Sequence, residues 1–264
     1  MPTLKGSAPV QGPLWGTRAR DWAEIQEPTG RDLYASVLAT LALPPGARVL
    51  DVGCGSGVFC ALATSRGMKV AGFDASEPLL ALARERAPAV TFSAGDLEAL
   101  PYPDASFGFV TGFNSFQYAA DPLTALREGR RVLSPGGQLV LATWGRPEEC
   151  EAAAYLQALG AHLPPPPPDA PGPFALSFEG AMAALTAQAG LALVGEYAVS
   201  TVWDYPDEAI ALRGFLSAGP AIRALQHAGE PAVTASLRKV LEKFRQPSGR
   251  ILLRNVFRYV VVRR

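Results

Sequence analysis

A chain of 264 residues is long enough for one large domain with its own core. With 48% hydrophobic, 9% aromatic and 18% charged residues, 26 glycines and 24 prolines, it reads as globular and stays below the roughly 25–30% Gly plus Pro of low-complexity chains. Twenty-four Lys and Arg balance 24 Asp and Glu, which excludes a global field that would draw the molecule to nucleic acid or to an anionic membrane.

The charge is unevenly placed, however. From Arg238 onward nine Lys and Arg face a single acid, Glu242, so the preceding residues carry the compensating negative charge. The three cysteines, Cys54, Cys60 and Cys150, have neither metal spacing nor a pairing pattern, so a reducing compartment and no metal site are expected. The N-terminus lacks the apolar centre of a secretory leader, and no run reaches the ~18 apolar residues of a membrane span. The expectation is a soluble, cytoplasmic protein.

Short β-branched or aromatic runs alternate with Ala/Leu-rich helical stretches, and no internal repeat is visible. This rhythm is that of an α/β fold. Thr29 to Asp32 resembles a capping box and opens a helix carrying Leu33, Tyr34, Val37, Leu38 and Leu41, which Pro44-Pro45-Gly46 stops. A strand over Arg48 to Asp51 then leads through glycines into a helix from Gly57 to Arg66. Lys69 to Phe73 is a second strand, Ser76 caps a helix to about Ala87, and Val90 to Ser93 and Phe107 to Phe113 are the third and fourth strands. Asp121-Pro122 opens a helix to Leu133, with Asp as cap and Pro in the first position. Gln138 to Trp144 is the fifth strand, apolar enough to be buried on both faces of a parallel sheet.

After Trp144 the alternation breaks for about 30 residues, and Pro164 to Pro168, with Pro171 and Pro173, read as an extended, stiff connector. A helix over Phe178 to Ala189, a strand over Leu191 to Trp203, helices over about Asp207 to Phe244 and a long strand over Ile251 to Val262 complete seven strands.

Two kinds of residue concentrate at the strand ends. Val49-Leu50-Asp51-Val52-Gly53-Cys54-Gly55-Ser56-Gly57 runs from a strand through glycines into a helix, where the main chain can approach a ligand closely. The spacing misses the G-x-G-x-x-G of dinucleotide sites by one residue, and Asp51 would repel a pyrophosphate but suit an ammonium group. Asp74 closes the second strand and Asp96 follows the third, so a glycine loop and two acids line the carboxyl edge of the sheet, where such folds bind ligands.

This set, with GFDASEPLL, SAGDLEALPYPDASFGFV, DPLTALREGRRVL and SPGGQLVLATW, resembles the class I S-adenosylmethionine-dependent methyltransferases of the small-molecule type, over roughly Val49 to Trp144. The resemblance implies a Rossmann-like, seven-stranded, mainly parallel sheet with helices on both faces, an antiparallel final strand and helical lid insertions. It also implies S-adenosylmethionine as the cofactor and a small-molecule methyl acceptor as the partner. It implies that the loop with Gly53, Cys54, Gly55 and Gly57 contacts the methionine portion, Asp74 the ribose, and Asp96 and Leu97 the adenine; Asp51, Ala75, Asn114 and Trp22 complete the candidate cofactor-binding residues. Within one domain, residues 1–47 and 207–246 would be lids, 48–145 the cofactor core and 146–175 a Pro-rich insertion.

The chain departs from the family where Phe107-Gly108-Phe109 lacks an Asp, where Gln117 and Tyr118 replace His, and where Asn114-Ser115-Phe116 replaces the N-P-P-Y of nucleobase-amine enzymes. No catalytic base stands out; His162, His227 and Tyr118 are the weak candidates, each more readily read as a packing or surface residue. Trp15 and Trp22, seven apart on an expected helix, are placed to close over a sulfonium. The alternatives are an RNA-modifying enzyme using the basic C-terminal stretch, a cofactor-binding protein without turnover, and NAD as the cofactor.

Overall fold

The computed structural model describes residues 6–165 and 172–264. Pro166 to Pro168 and Pro171, and with them most of the expected proline connector, lie outside the described residues.

The chain opens with α1 (Ala8–Gly16) and the single turn α2 (Ala19–Asp21). A π-helical turn at Trp22–Gln26, a 3-10 turn at Glu27–Gly30 and α3 (Arg31–Leu41) follow. Trp15 and Trp22 therefore do not share a helix, because the backbone at Arg18 (φ −125°, ψ 45°) leaves the helical region. Their rings nonetheless meet edge to face at 4.7 Å. The capping box expected at Thr29 does not form: α3 grows out of the 3-10 turn, and Thr29 Oγ1 donates to the Gln26 carbonyl at 2.6 Å.

Strands and helices then alternate as β1 (Arg48–Val52), α4 (Val58–Ser65), β2 (Lys69–Asp74), α5 (Glu77–Arg86), β3 (Thr91–Ala94), β4 (Phe107–Phe113), α6 (Pro122–Val132) and β5 (Leu133–Trp144). Ser76 and Asp121 act as the helix caps their positions predicted, accepting from Leu79 N at 3.4 Å and Leu123 N at 3.0 Å. β5 begins at Leu133 and not at Gln138, because Leu133 already pairs with Phe107 before a register shift absorbs Ser134 to Gly137.

α7 (Ala153–Gly160) occupies the stretch expected to be irregular and buries Tyr155 and Leu159. The residue before it, Ala152, offers no capping side chain; its N–H donates to Asn255 Oδ1 at 2.9 Å, a partner 103 residues away. α8 (Ala181–Gln188), β6 (Ala192–Tyr205), α9 (Glu208–Phe215), α10 (Gly219–Ala228), α11 (Glu230–Glu242) and β7 (Ile251–Arg263) complete the fold.

The seven strands form one sheet in the order β3-β2-β1-β4-β5-β7-β6. β3, β2, β1, β4 and β5 are parallel to their neighbours, and β7 runs antiparallel between β5 and β6. Pleating splits the core between the two faces. Leu139 and Leu141 of β5 pack with Leu126 of α6 and Met182 of α8, whereas Val140, Ala142 and Trp144 pack with α3, α7 and the helices after β6. The strand order reverses between β1 and β4, which opens a crevice at the carboxyl ends of the strands. Over that crevice α1 packs on α10, and α9 packs on the π turn. No helix among the described residues is long and apolar enough to cross a membrane.

Candidate functional site

The loop after β1 is tied to the end of β2: Gly53 N and Cys54 N both donate to the Phe73 carbonyl, at 2.7 and 3.0 Å. Gly53 (φ +76°) admits no side chain, since a Cβ there would lie 2.3 Å from Cβ of Ser115 on the facing loop. At Gly55 (φ +55°) a Cβ would meet the Glu27 carboxyl at about 3.1 Å. Asp74 clamps this loop from β2, accepting from Gly55 N and from Ser76 N at 2.8 Å each. Burial raises its carboxyl above the usual range, against the pull of those backbone donors.

A cavity, partly open to solvent, lies over these strand ends. At its floor are Gly53, Gly55, Asp74, Ala75 and Leu97, and beside them Asn114 and Ser115 at the end of β4. Asn114 is one of three non-glycine residues with positive φ (+50°) among those described, held by Asn114 N donating to the Ala142 carbonyl at 2.9 Å. Trp15, Trp22, Glu27 and Tyr34 line it from the N-terminal segment and α3, and Trp144, Tyr155, Trp203 and Phe257 from the β5–β6 side.

The expected site residues divide accordingly. Gly53, Gly55, Asp74, Ala75, Leu97, Asn114, Trp22 and Tyr118 line the cavity. Asp51 does not: its carboxylate lies beneath the loop, accepting from Thr111 Oγ1 at 2.8 Å, with Cys60 Sγ 3.6 Å away. It therefore does not face an ammonium ligand. Cys54 and Gly57 are also turned from the cavity; Cys54 Sγ packs over Gly72, and Gly57 packs against Ala83 and Phe92. Asp96 accepts from Ala8 N at 2.8 Å and Glu98 N at 2.9 Å, so its carboxylate anchors the start of α1 and does not reach the cavity. Of the candidate bases, His162 pairs with Ser236 at 2.8 Å outside the cavity and His227 is exposed at the end of α10. Only Tyr118 is inside, and burial pushes its phenol up to about 12.

Glu27 was not anticipated. It is 5% exposed, and its carboxylate accepts from Ser56 N (2.9 Å), Ser56 Oγ (2.5 Å) and Val58 N (3.2 Å), seated on the first turn of α4. Burial raises its carboxyl, and the Ser56 donors and the nearby Arg86 guanidinium oppose that rise. Its partners are 29 and 31 residues away, so no local spacing reveals it. Trp144 was readable: it ends β5 at the same sheet edge at which Asp74 ends β2.

The charged side chains lining the cavity are two carboxylates, Glu27 and Asp74; no Lys, Arg or His of the described residues joins them. Such a site favours a cationic ligand and disfavours a phosphate.

A family model described as a methyltransferase domain matches residues 50–141. A malonyl-[acyl-carrier protein] O-methyltransferase of Erwinia pyrifoliae is 37% identical over 153 residues, covering 57% of each chain. A demethylmenaquinone methyltransferase of Renibacterium salmoninarum is 38% identical over 111 residues, 42% of this chain and 47% of its own. The chain thus spans about half the length of the curated relatives it matches. Among solved structures, the [4+2]-cyclase SpnF superposes with a TM-score of 0.57 at 22% identity, over 88% of this chain and 79% of its own, a likeness of fold.

Proposed function

Because residues 50–141 match a methyltransferase-domain model, we propose that this chain binds S-adenosylmethionine along the strand tips and transfers its methyl group to a small-molecule acceptor held beside it. The observation that carries the reading is the charge of the cavity: both charged groups lining it are carboxylates, matched to a ligand that bears an ammonium and a sulfonium. The absence of side chains at Gly53 and Gly55 lets Ser115 and the Glu27 carboxyl close up against the loop, beside its bare main chain at the cavity floor.

When bound, the cofactor supplies a methyl group already activated by its positive sulphur. In this reading Glu27 holds the ammonium at the first turn of α4, and Asp74 receives the ribose hydroxyls on the lone pairs left free by Gly55 N and Ser76 N. Ala75, Leu79 and Leu97 supply the apolar bed for the adenine. Asp96 contributes indirectly, by fixing α1. Trp15 and Trp22 present aromatic rings to the sulfonium, a contact worth ~0.5–2 kcal/mol. The N-terminal segment and the helices after β6 serve as lids that exclude water.

Positioning is the main catalytic contribution open to this site. Near-attack placement supplies up to ~7–11 kcal/mol, whereas one general base adds ~10²–10⁴-fold, so Tyr118, held as a neutral phenol, is not required to accept a proton.

Calorimetry with S-adenosylhomocysteine tests the binding half. Wild type should bind; Glu27→Gln, which keeps an acceptor for Ser56 but loses the charge, should bind roughly 10–100-fold more weakly, as expected for one charged hydrogen bond. Asp74→Ala should abolish binding in protein whose circular dichroism is unchanged. Full affinity in both variants would overturn the site. Transfer of labelled methyl then separates an enzyme from a protein that only binds the cofactor.

A further inference from the structure

The cavity divides at β4. On the β1–β3 side lie the glycine loop, Asp74 and Leu97; on the β5–β6 side every lining residue is uncharged. There Trp144 stacks on Phe257 (centroids 4.8 Å apart, planes 27°), and Trp203 meets Trp144 edge-on at 5.5 Å. From the turn after β4 and from α1, Tyr118 and Trp15 add a second aromatic pair at 5.5 Å.

One polar group in this half is unspent, the buried indole N–H of Trp203, which has no hydrogen-bond partner and can donate to an acceptor oxygen on the ring. Tyr155 OH already donates to the Phe215 carbonyl at 2.7 Å. Tyr118 stays protonated at neutral pH, since burial pushes it up to about 12. No His, Lys, Asp or Glu lines this half to take a proton or to pair with an anion.

We propose that the β5–β6 half of the cavity is a subsite for an uncharged, flat aromatic ring bearing a hydroxyl, and that this ring hydroxyl is the methyl acceptor. The inference rests on the reading of the other half as the S-adenosylmethionine site. Aromatic walls recognise a ring by stacking and edge contacts, without charge. A carboxylate acceptor would be desolvated with no cationic side chain beside it, at a cost of several kcal/mol. An aliphatic alcohol, nearly as weak an acid as water at ~15.7, or a protonated amine would need a base that this half does not contain. A phenolic hydroxyl, with a pKa of ~10 in water, is the most acidic of these acceptors and needs the least help to give up its proton. In the reaction its oxygen lone pair forms the bond to the methyl carbon, the pair of the broken carbon–sulphur bond stays with sulphur, and the phenolic proton, made strongly acidic on the oxonium so formed, leaves to solvent through the open mouth of the cavity.

Four probes sharing one ring separate these cases: naphthol, naphthylmethanol, naphthoate and naphthylmethylamine, titrated into protein saturated with S-adenosylhomocysteine. Naphthol and naphthylmethanol should bind with similar affinity, and naphthoate and naphthylmethylamine at least roughly tenfold more weakly. With labelled S-adenosylmethionine, label should pass to naphthol alone. Trp203→Ala should weaken naphthol binding roughly five- to tenfold and leave S-adenosylhomocysteine binding unchanged. Should that variant not fold, the wild-type series decides alone. Equal binding of naphthoate or the amine, label on the alcohol, or no naphthol binding by protein that does bind S-adenosylhomocysteine would overturn the subsite. Absence of S-adenosylhomocysteine binding would instead overturn the cofactor reading.

Discussion

At the tip of β1, Asp51 is 1% exposed, and burial pushes its carboxyl up to about 7, against the pull of Thr111 and Cys60. A folded-state value above the unfolded one means that native protein holds a proton the unfolded chain has released between about pH 4 and 7. The stabilising contribution is therefore complete below pH 4 and is lost as pH rises to about 7. Asp51→Asn imitates the protonated form and keeps an acceptor for Thr111. In urea unfolding, the variant should gain on wild type by on the order of 3 kcal/mol between pH 5 and pH 8. A constant gap would mean that Asp51 titrates normally. The sequence pattern located Asp51 along β1, but not its partner. That depends on β1 pairing with β4, which sets Asp51 opposite Thr111. Glu27 was hidden for the same reason, its role coming from contacts formed only when the N-terminal segment folds back over α4.

Among the elements, α1 shows how a motif residue takes a structural task. Ser7, before α1, makes no capping hydrogen bond; Asp96, 88 residues away, accepts from Ala8 N in its place. Removing such an acceptor costs ~1 kcal/mol and acts on that helix alone. Asp96→Ala should therefore speed protease cleavage within the N-terminal segment roughly fivefold while the global unfolding midpoint stays in place. Unchanged cleavage would show that α1 is held by its packing on α10 and α5. All seven strands were legible as β-branched or aromatic runs, most plainly β5, whose burial on both faces leaves the unbroken apolar run QLVLATW. α7 was not, since AAYLQALG follows no capping side chain and lies close to the prolines. The break between Trp15 and Trp22 was missed too. Their spacing fits one helix, and only the backbone at Arg18 reveals two.

Across the whole molecule, the basic C-terminal stretch meets the acids that precede it. Arg238 pairs with Glu208 (3.2 Å), Arg245 with Glu208 and Glu242, Arg250 with Asp204 (2.7 Å) and Arg258 with Glu149 (2.8 Å). Pairs this exposed stabilise by at most ~1 kcal/mol each, but they engage four of the nine cations a phosphate backbone would need. A single-stranded RNA and NADH should thus both fail to bind at physiological salt, while S-adenosylhomocysteine quenches the emission of Trp15 and Trp22. RNA affinity that falls steeply with added salt, or saturable NADH binding, would contradict this account.

The place of β7 also has a bearing on biosynthesis. β6 reaches the sheet only through β7, which follows it in sequence and is inserted on its inner side. On the ribosome, at ~5–20 residues per second, β6 must wait several seconds with both edges unzipped until β7 emerges. A premature stop ahead of Ile251 would thus cost the nascent protein two strands, together with the wall that Phe257 and Trp203 build.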